Sequence, residues 1–142
     1  MAETGGQIRV RLVTPDRVLV DEMADAVEIP SRSGYMEVLY GHAPLLAELG
    51  VGHVRLHGAQ SGSRDFFTVA WGFCEVLPDR VTILAASATM PSELDTQEAE
   101  QELERGRKMW NEAGEDPGKY EHANEVIREA EAKLATVHGS KF

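Results

Sequence analysis

The chain has 142 residues, 42% of them hydrophobic, and a formal net charge of −10. That apolar content suits one domain or a small domain with an appendage, while the charge repels nucleic acid and anionic lipid. With 27% charged residues it is an ordinary globular composition, and no apolar run approaches the roughly 20 residues of a membrane helix. The start, Met1 to Gly6, has neither a basic nor an apolar region, so no signal peptide is expected. Cys74 is the single cysteine. It excludes an intrachain disulfide and fits a reducing compartment.

The first part reads as strands. Ile8, Val10 and Leu12 alternate with Gln7, Arg9 and Arg11, the period of a half-buried strand. Pro15-Asp16 is a turn. Val18 and Val20 begin a second strand, and Val27 and Ile29 a third. Residues 30–34 form a loop. Val54 and Leu56 alternate with His53 and Arg55, and residues 58–63 are a Gly/Ser-rich hairpin connection. Arg64 to Ala70 and Phe73 to Leu77 read as two further strands. Val81, Ile83 and Ala85 alternate after the Pro78-Asp79 turn. Short strands with frequent turns predict an antiparallel β-sandwich or a barrel, and nothing resembles βαβ alternation.

The pattern changes at Pro91-Ser92. Ser92, with Asp95 three residues on, predicts a helix start close to a capping box. Ala99, Leu103, Gly106, Trp110 and Ala113 then recur in steps of four and three. Gly114 to Gly118 breaks the run, Asp116 can cap, and Pro117 suits a first helical turn. Tyr120, Ala123, Ile127, Ala130, Leu134 and Val137 give a second stripe, and His138-Gly139 a stop. The expected domains are a sandwich over 1–90 and an antiparallel two-helix hairpin over 91–142. Seven basic and 11 acidic residues leave the first at −4; 7 and 13 leave the second at −6. Small residues fill the helix seam, so a loosely held hairpin that opens or re-docks is expected beside a permanently packed one.

No catalytic signature is present, neither a phosphate loop, G-x-S-x-G nor HExxH. His53 and His57 have helical ligand spacing but lie on a strand, about 13 Å apart, so no metal site is expected. Cys74 with His42 or His53 could form a nucleophile and base, but it sits in an apolar strand where packing is the simpler role. The segment Gly34 to Leu46 is apolar and aromatic around two glycines and a proline. It reads both as a buried bend and as a contact surface, since Tyr35, Met36 and Tyr40 are interface types.

Within that segment Gly41-His42-Ala43-Pro44-Leu45-Leu46 closely resembles the signature of the epsilon subunits of F-type ATP synthases (delta in mitochondria). The resemblance extends through Val13 to Asp16, Glu28 to Pro30, Val69 to Val76, Val81 to Ala85 and Leu94-Asp95. It implies a non-catalytic rotor subunit of a proton-translocating synthase, without a cofactor. Its sandwich would bind the gamma subunit on one side and the c-ring below, coupling ring rotation to the gamma shaft. Its hairpin would extend toward the catalytic beta subunit and inhibit ATP hydrolysis. The resemblance also implies a peripheral position on the cytoplasmic face of a bacterial inner membrane. Tyr35, Met36, Glu37, Tyr40 and His42 take the gamma and c-ring contact, and Arg105, Arg107, Lys108, Arg128 and Lys133 the regulatory role.

Three departures qualify what the resemblance implies. Tyr35 and Glu37 stand where the family often has an acid and a glycine. Glu98 stands where ATP-binding members resemble arginine, so ATP binding is expected to be weak or absent. The hairpin is acidic, unlike hairpins that inhibit through basic residues. The competing reading is a free-standing β-sandwich binding module that self-associates through its hairpin. A third is a small hydrolase using Cys74 and a histidine.

Overall fold

The computed structural model describes residues 6–59, 66–90 and 93–137. The chain divides after Met90 into two compact units. The first contains β1 (Ile8–Val13), β2 (Val18–Ala24), β3 (Ala26–Ser31), β4 (Gly34–Leu39), β5 (Leu45–Glu48), β6 (Val51–His57), β7 (Phe66–Val76) and β8 (Arg80–Thr89). The second contains α1 (Thr96–Asn111) and α2 (Pro117–Val137).

The strands run β2-β1-β8-β7-β6-β3-β4, with β5 paired to β7 off that path. β7 explains how one hydrogen-bonded sheet becomes a sandwich. Its first half, through Ala70, pairs with β6, while its second half, from Phe73, pairs with β5. The long neighbour β8 follows it on the other side over both halves. Between the halves lie Trp71, with φ 60°, and Gly72, with φ 117°. Those backbone angles bend the strand out of one layer into the other. The core fills the space between. Ile8, Val10 and Leu12 from β1 meet Val27 and Ile29 from β3, Val54 and Leu56 from β6, and Val81 and Ile83 from β8.

Several sequence expectations change. Residues 66–76 are one bent strand instead of two, because Trp71 and Gly72 hold extended pairing on both sides of the bend. The loop expected over 30–34 narrows to Arg32 and Ser33, and residues 34–39, expected as the start of a bend, form a strand paired to β3. Among the described strands β1 and β8 are the one parallel pair, where the strands from opposite ends of the unit come together. Of the polar connection over 58–63, residues 60–63 lie outside the described residues, as do Arg64 and Asp65.

Helix α1 starts at Asp95, not Ser92. The Asp95 Oδ1 accepts from the backbone N–H of Gln97 at 3.0 Å and of Glu98 at 3.3 Å. Ser92 itself, and the expected stop at His138-Gly139, lie outside the described residues. Asp116 caps α2 as predicted, accepting from Gly118 N–H at 2.9 Å. The seam is also as read: Ala99, Gly106, Ala113, Ala123 and Ala130 are buried. A methyl at Gly106 would stand 2.7 Å from Cγ1 of Ile127, so the helices approach closely there. Beside the turn, Trp110 and Tyr120 pack edge to face at 4.6 Å, and the Tyr120 hydroxyl donates to the Gly114 carbonyl at 2.7 Å. Lys133 of α2 bridges Glu102 of α1 at 3.2 Å.

Two predictions follow from this packing. A methyl at Gly72 would run into the Leu84 carbonyl, and its φ is one that L side chains rarely adopt. Gly72→Ala should therefore lower unfolding free energy by more than about 2 kcal/mol in urea titrations; an unchanged midpoint would show that the bend tolerates a side chain. Cys74 is fully buried, and burial pushes its thiol pKa up. A thiol reagent should modify it only on the timescale of unfolding; rapid labelling of the native chain would contradict the packing role.

Candidate functional site

The signature segment becomes the turn between β4 and β5. Gly41 has φ 89°, and no atom lies within 4 Å of where its Cβ would be, so its conformation rather than crowding calls for glycine. The turn is pinned at both ends. Gly41 N–H donates to the Pro78 carbonyl at 2.7 Å, and His42 N–H to the Leu39 carbonyl at 3.1 Å. His42 Nδ1 lies 2.7 Å from the Ala43 carbonyl, which can only accept, so Nδ1 is the donor in this contact. The Tyr40 ring lies over Gly6, where a methyl would come within 2.9 Å of it. Even so, Leu39, Tyr40, Leu45 and Leu46 remain exposed, Leu46 to 71%. The segment is not a buried bend: its backbone is fixed by hydrogen bonds, but residues 39–41 and 43–46 are exposed.

The structure distributes the five sequence-predicted contact residues along β4 and its turn. Tyr35 lies across the sheet, its hydroxyl accepting from His53 N–H at 3.0 Å. Met36 packs against the core. Glu37 is exposed on the outer side of β4, opposite Glu28. Tyr40 and His42 sit in the turn. The turn therefore groups the second pair, while Tyr35 and Met36 also have structural roles.

A larger feature escaped the sequence reading. On the outward face of the layer holding β1 and β8, backbone pairing lines up Val18, Val13, Leu84 and Phe73 across β2, β1, β8 and β7. Phe73 and Leu84 are 52% and 53% exposed. Glu48 of β5 ends that row. The neighbouring row is Asp21, Arg11, Thr82, Glu75 and Leu46. Its charges are organised: Arg9 donates to both Asp21 oxygens, at 2.9 and 3.0 Å, and Arg11 stands 3.6 Å away. The hydrogen bond from Arg9 holds the Asp21 carboxyl below the usual carboxylate range. Asp21 thus favours folding above its ordinary pKa, an effect lost as pH falls through the lowered value. The signal for this surface was available, since Phe73 and Leu84 alternate with buried Cys74 and Ile83. It was hidden because only pairing shows that they are neighbours.

On the hairpin, Arg105, Lys108 and Arg128 are exposed. Arg107 lies 3.9 Å from Glu104. Lys133 is engaged by both Glu102 and Glu129, so its ammonium serves the helix pairing. Among the described residues no hydrolytic centre takes shape around Cys74, whose thiolate is disfavoured by burial. Among the described residues no helix is long and apolar enough to cross a membrane.

The sequence matches the family model of the ATP synthase delta/epsilon chain β-sandwich domain over residues 7–91. It is 41% identical over 131 residues to the ATP synthase epsilon chain of Solibacter usitatus, covering 91% of this chain and 94% of that protein. Against the epsilon chain of Koribacter versatilis it is 39% identical over 114 residues, covering 80% of this chain and 77% of that one. Its fold is similar to a chain in the cryo-EM structure of the Euglena gracilis mitochondrial ATP synthase, OSCP/F1/c-ring in rotational state 1. The TM-score there is 0.78 at 24% identity, over 94% of this chain and 82% of that one, a likeness of fold alone. The chain belongs to the ATP synthase delta/epsilon family, as a non-catalytic epsilon chain.

Proposed function

We propose that the sandwich couples the gamma shaft to the c-ring, docking on gamma through the Val18-Val13-Leu84-Phe73 row. The observation that carries this reading is the row itself. Half-exposed Phe73 and Leu84 at the middle of a sheet face have the character of an interface core, and the Arg9–Asp21–Arg11 cluster beside them has that of a polar rim. The turn carrying Tyr40 and His42, with Leu39, Leu45 and Leu46, faces the c-ring loops. Glu37 provides the nearby acid. The complex then lies peripherally on the cytoplasmic face of a bacterial inner membrane and is driven by protons.

The hairpin over residues 91–142 is the regulatory segment. Arg105, Lys108 and Arg128 are its outward cations toward the beta subunit, and Arg107 assists them. The brake it forms is insensitive to nucleotide. Asp95 already occupies the first free amides of α1, and Glu98 adds a second negative charge at the same end. An ATP phosphate would meet both.

The docking row is tested by Phe73→Thr combined with Leu84→Thr, which removes the apolar surface without adding like charges beside Glu48. These outward positions leave the core intact, so the double variant should fold with an unchanged melting profile. It should bind the purified gamma chain at least about tenfold more weakly; unchanged affinity in a folded variant would refute the row as the contact. For the hairpin, the reconstituted complex lacking residues 91–142 should hydrolyse ATP faster than the intact one. Equal rates would leave coupling as its only role. Calorimetry with ATP should give no heat of binding; clear micromolar binding would overturn nucleotide insensitivity.

A further inference from the structure

Three ligand-bearing side chains meet on the outer face of the second layer. Glu28 of β3 pairs directly with Glu37 of β4. His57 of β6 is opposite Ala26, two residues along from Glu28, and so lies diagonal to it on the same face. One ligand atom from each of Glu28, Glu37 and His57 falls within 4.8 Å of the other two. Neither of the short-range patterns read from the sequence connects these positions. His53 and His57 do share strand β6, but the partners of His57 come from two other strands.

We propose that Glu28, Glu37 and His57 form a divalent-cation site of the zinc class. The central atom is His57 Nε2. It is shielded from solvent and has no hydrogen-bond partner. It stands 3.6 Å from Oε1 of Glu28, too long for a hydrogen bond but close to the spacing of two ligands around one small ion. With metal–ligand bonds of about 2.0–2.1 Å, tetrahedral ligands lie about 3.3–3.4 Å apart. The third ligand has room to adjust, because Glu37 is exposed. One imidazole nitrogen with two carboxylates suits zinc better than magnesium or calcium, which favour all-oxygen shells. Three protein ligands leave a fourth position for water.

Arg55 is the competing counter-charge. It stands opposite Glu28 on β6, on the same face. A guanidinium at that position balances part of the two carboxylates' charge and lowers affinity without removing a ligand. The consequence of binding is local. β4 is the last strand of the sheet and leads directly into the Gly41–Leu46 turn. A cation held by Glu37, Glu28 and His57 fastens that edge strand to the two strands inside it. This inference rests on the three side chains alone and is independent of which subunit the outer apolar row contacts.

The test uses the full chain, stripped with a chelator and titrated with zinc ion by calorimetry and thermal melting. Wild type should bind one zinc per chain with a raised melting temperature. His57→Ala and Glu37→Gln should each weaken binding by about tenfold or more, and Arg55→Gln should strengthen it. Glu37→Gln alters an exposed side chain and keeps its shape, so its effect is not attributable to misfolding. Absence of zinc binding to wild type would overturn the site. So would binding that is unchanged in both ligand variants, which would assign the zinc to other histidines. An NMR titration showing His57 as a protonated partner of Glu28 that zinc does not perturb would replace the metal with an ion pair.

Discussion

The bend at Trp71 and Gly72 is the constraint on which the sandwich depends. A strand that stayed straight would pair with β6 or with β5 along its length, but not with both. Two consecutive positive φ values let β7 close both layers while keeping its ladder to β8. Such angles are unfavourable for tryptophan, so surrounding contacts must hold it there. Trp71 N–H donates to the Gly50 carbonyl at 3.1 Å, and Leu49 N–H donates to the Gly72 carbonyl at 2.9 Å. Arg32 also lies over the indole, 5.4 Å from its centroid. The bend is thus anchored by the segment joining β5 and β6, and the strain is spread over the fold instead of resting on one residue.

That bend also determines where chemistry can occur. It puts Cys74 and Val76 inward and leaves Phe73 outward beside Leu84. The same alternation that fills the core creates the exposed apolar row. A one-residue slip in β7 would exchange the two faces, burying Phe73 and exposing the thiol. The Gly72 geometry, tight against Leu84, opposes that slip. Core and contact surface are therefore two sides of one register.

Legibility in the sequence followed the range of the interaction. The strand alternation of Ile8, Val10 and Leu12 and the helix stripes of Ala99 to Ala113 and Ala123 to Ala130 are local, and they were read correctly. The cap at Asp116 and the glycine in the signature turn are local too. The bent β7 was read as two strands because Trp71 and Gly72 look like an interruption when pairing partners are unknown. In the sequence Asp95 reads as the capping-box partner of Ser92, and only the amides of Gln97 and Glu98 show that Asp95 is itself a cap of α1. The apolar row and the Glu28–Glu37–His57 cluster depend on cross-strand neighbours. No spacing within a single strand encodes them.

The two units are held by different kinds of force. The sandwich has branched aliphatic side chains buried from six or more strands, each contributing on the order of 1.5–3 kcal/mol. The hairpin buries alanines and a glycine, and relies on close approach, the Trp110–Tyr120 contact and the Lys133–Glu102 bridge. Side chains that small lose little rotamer entropy on packing and gain little area. The helix pair therefore rests on far less buried apolar area than the sandwich core. The close contact of Gly106 with Ile127 sets the spacing of the pair, because any larger residue there would force the helices apart.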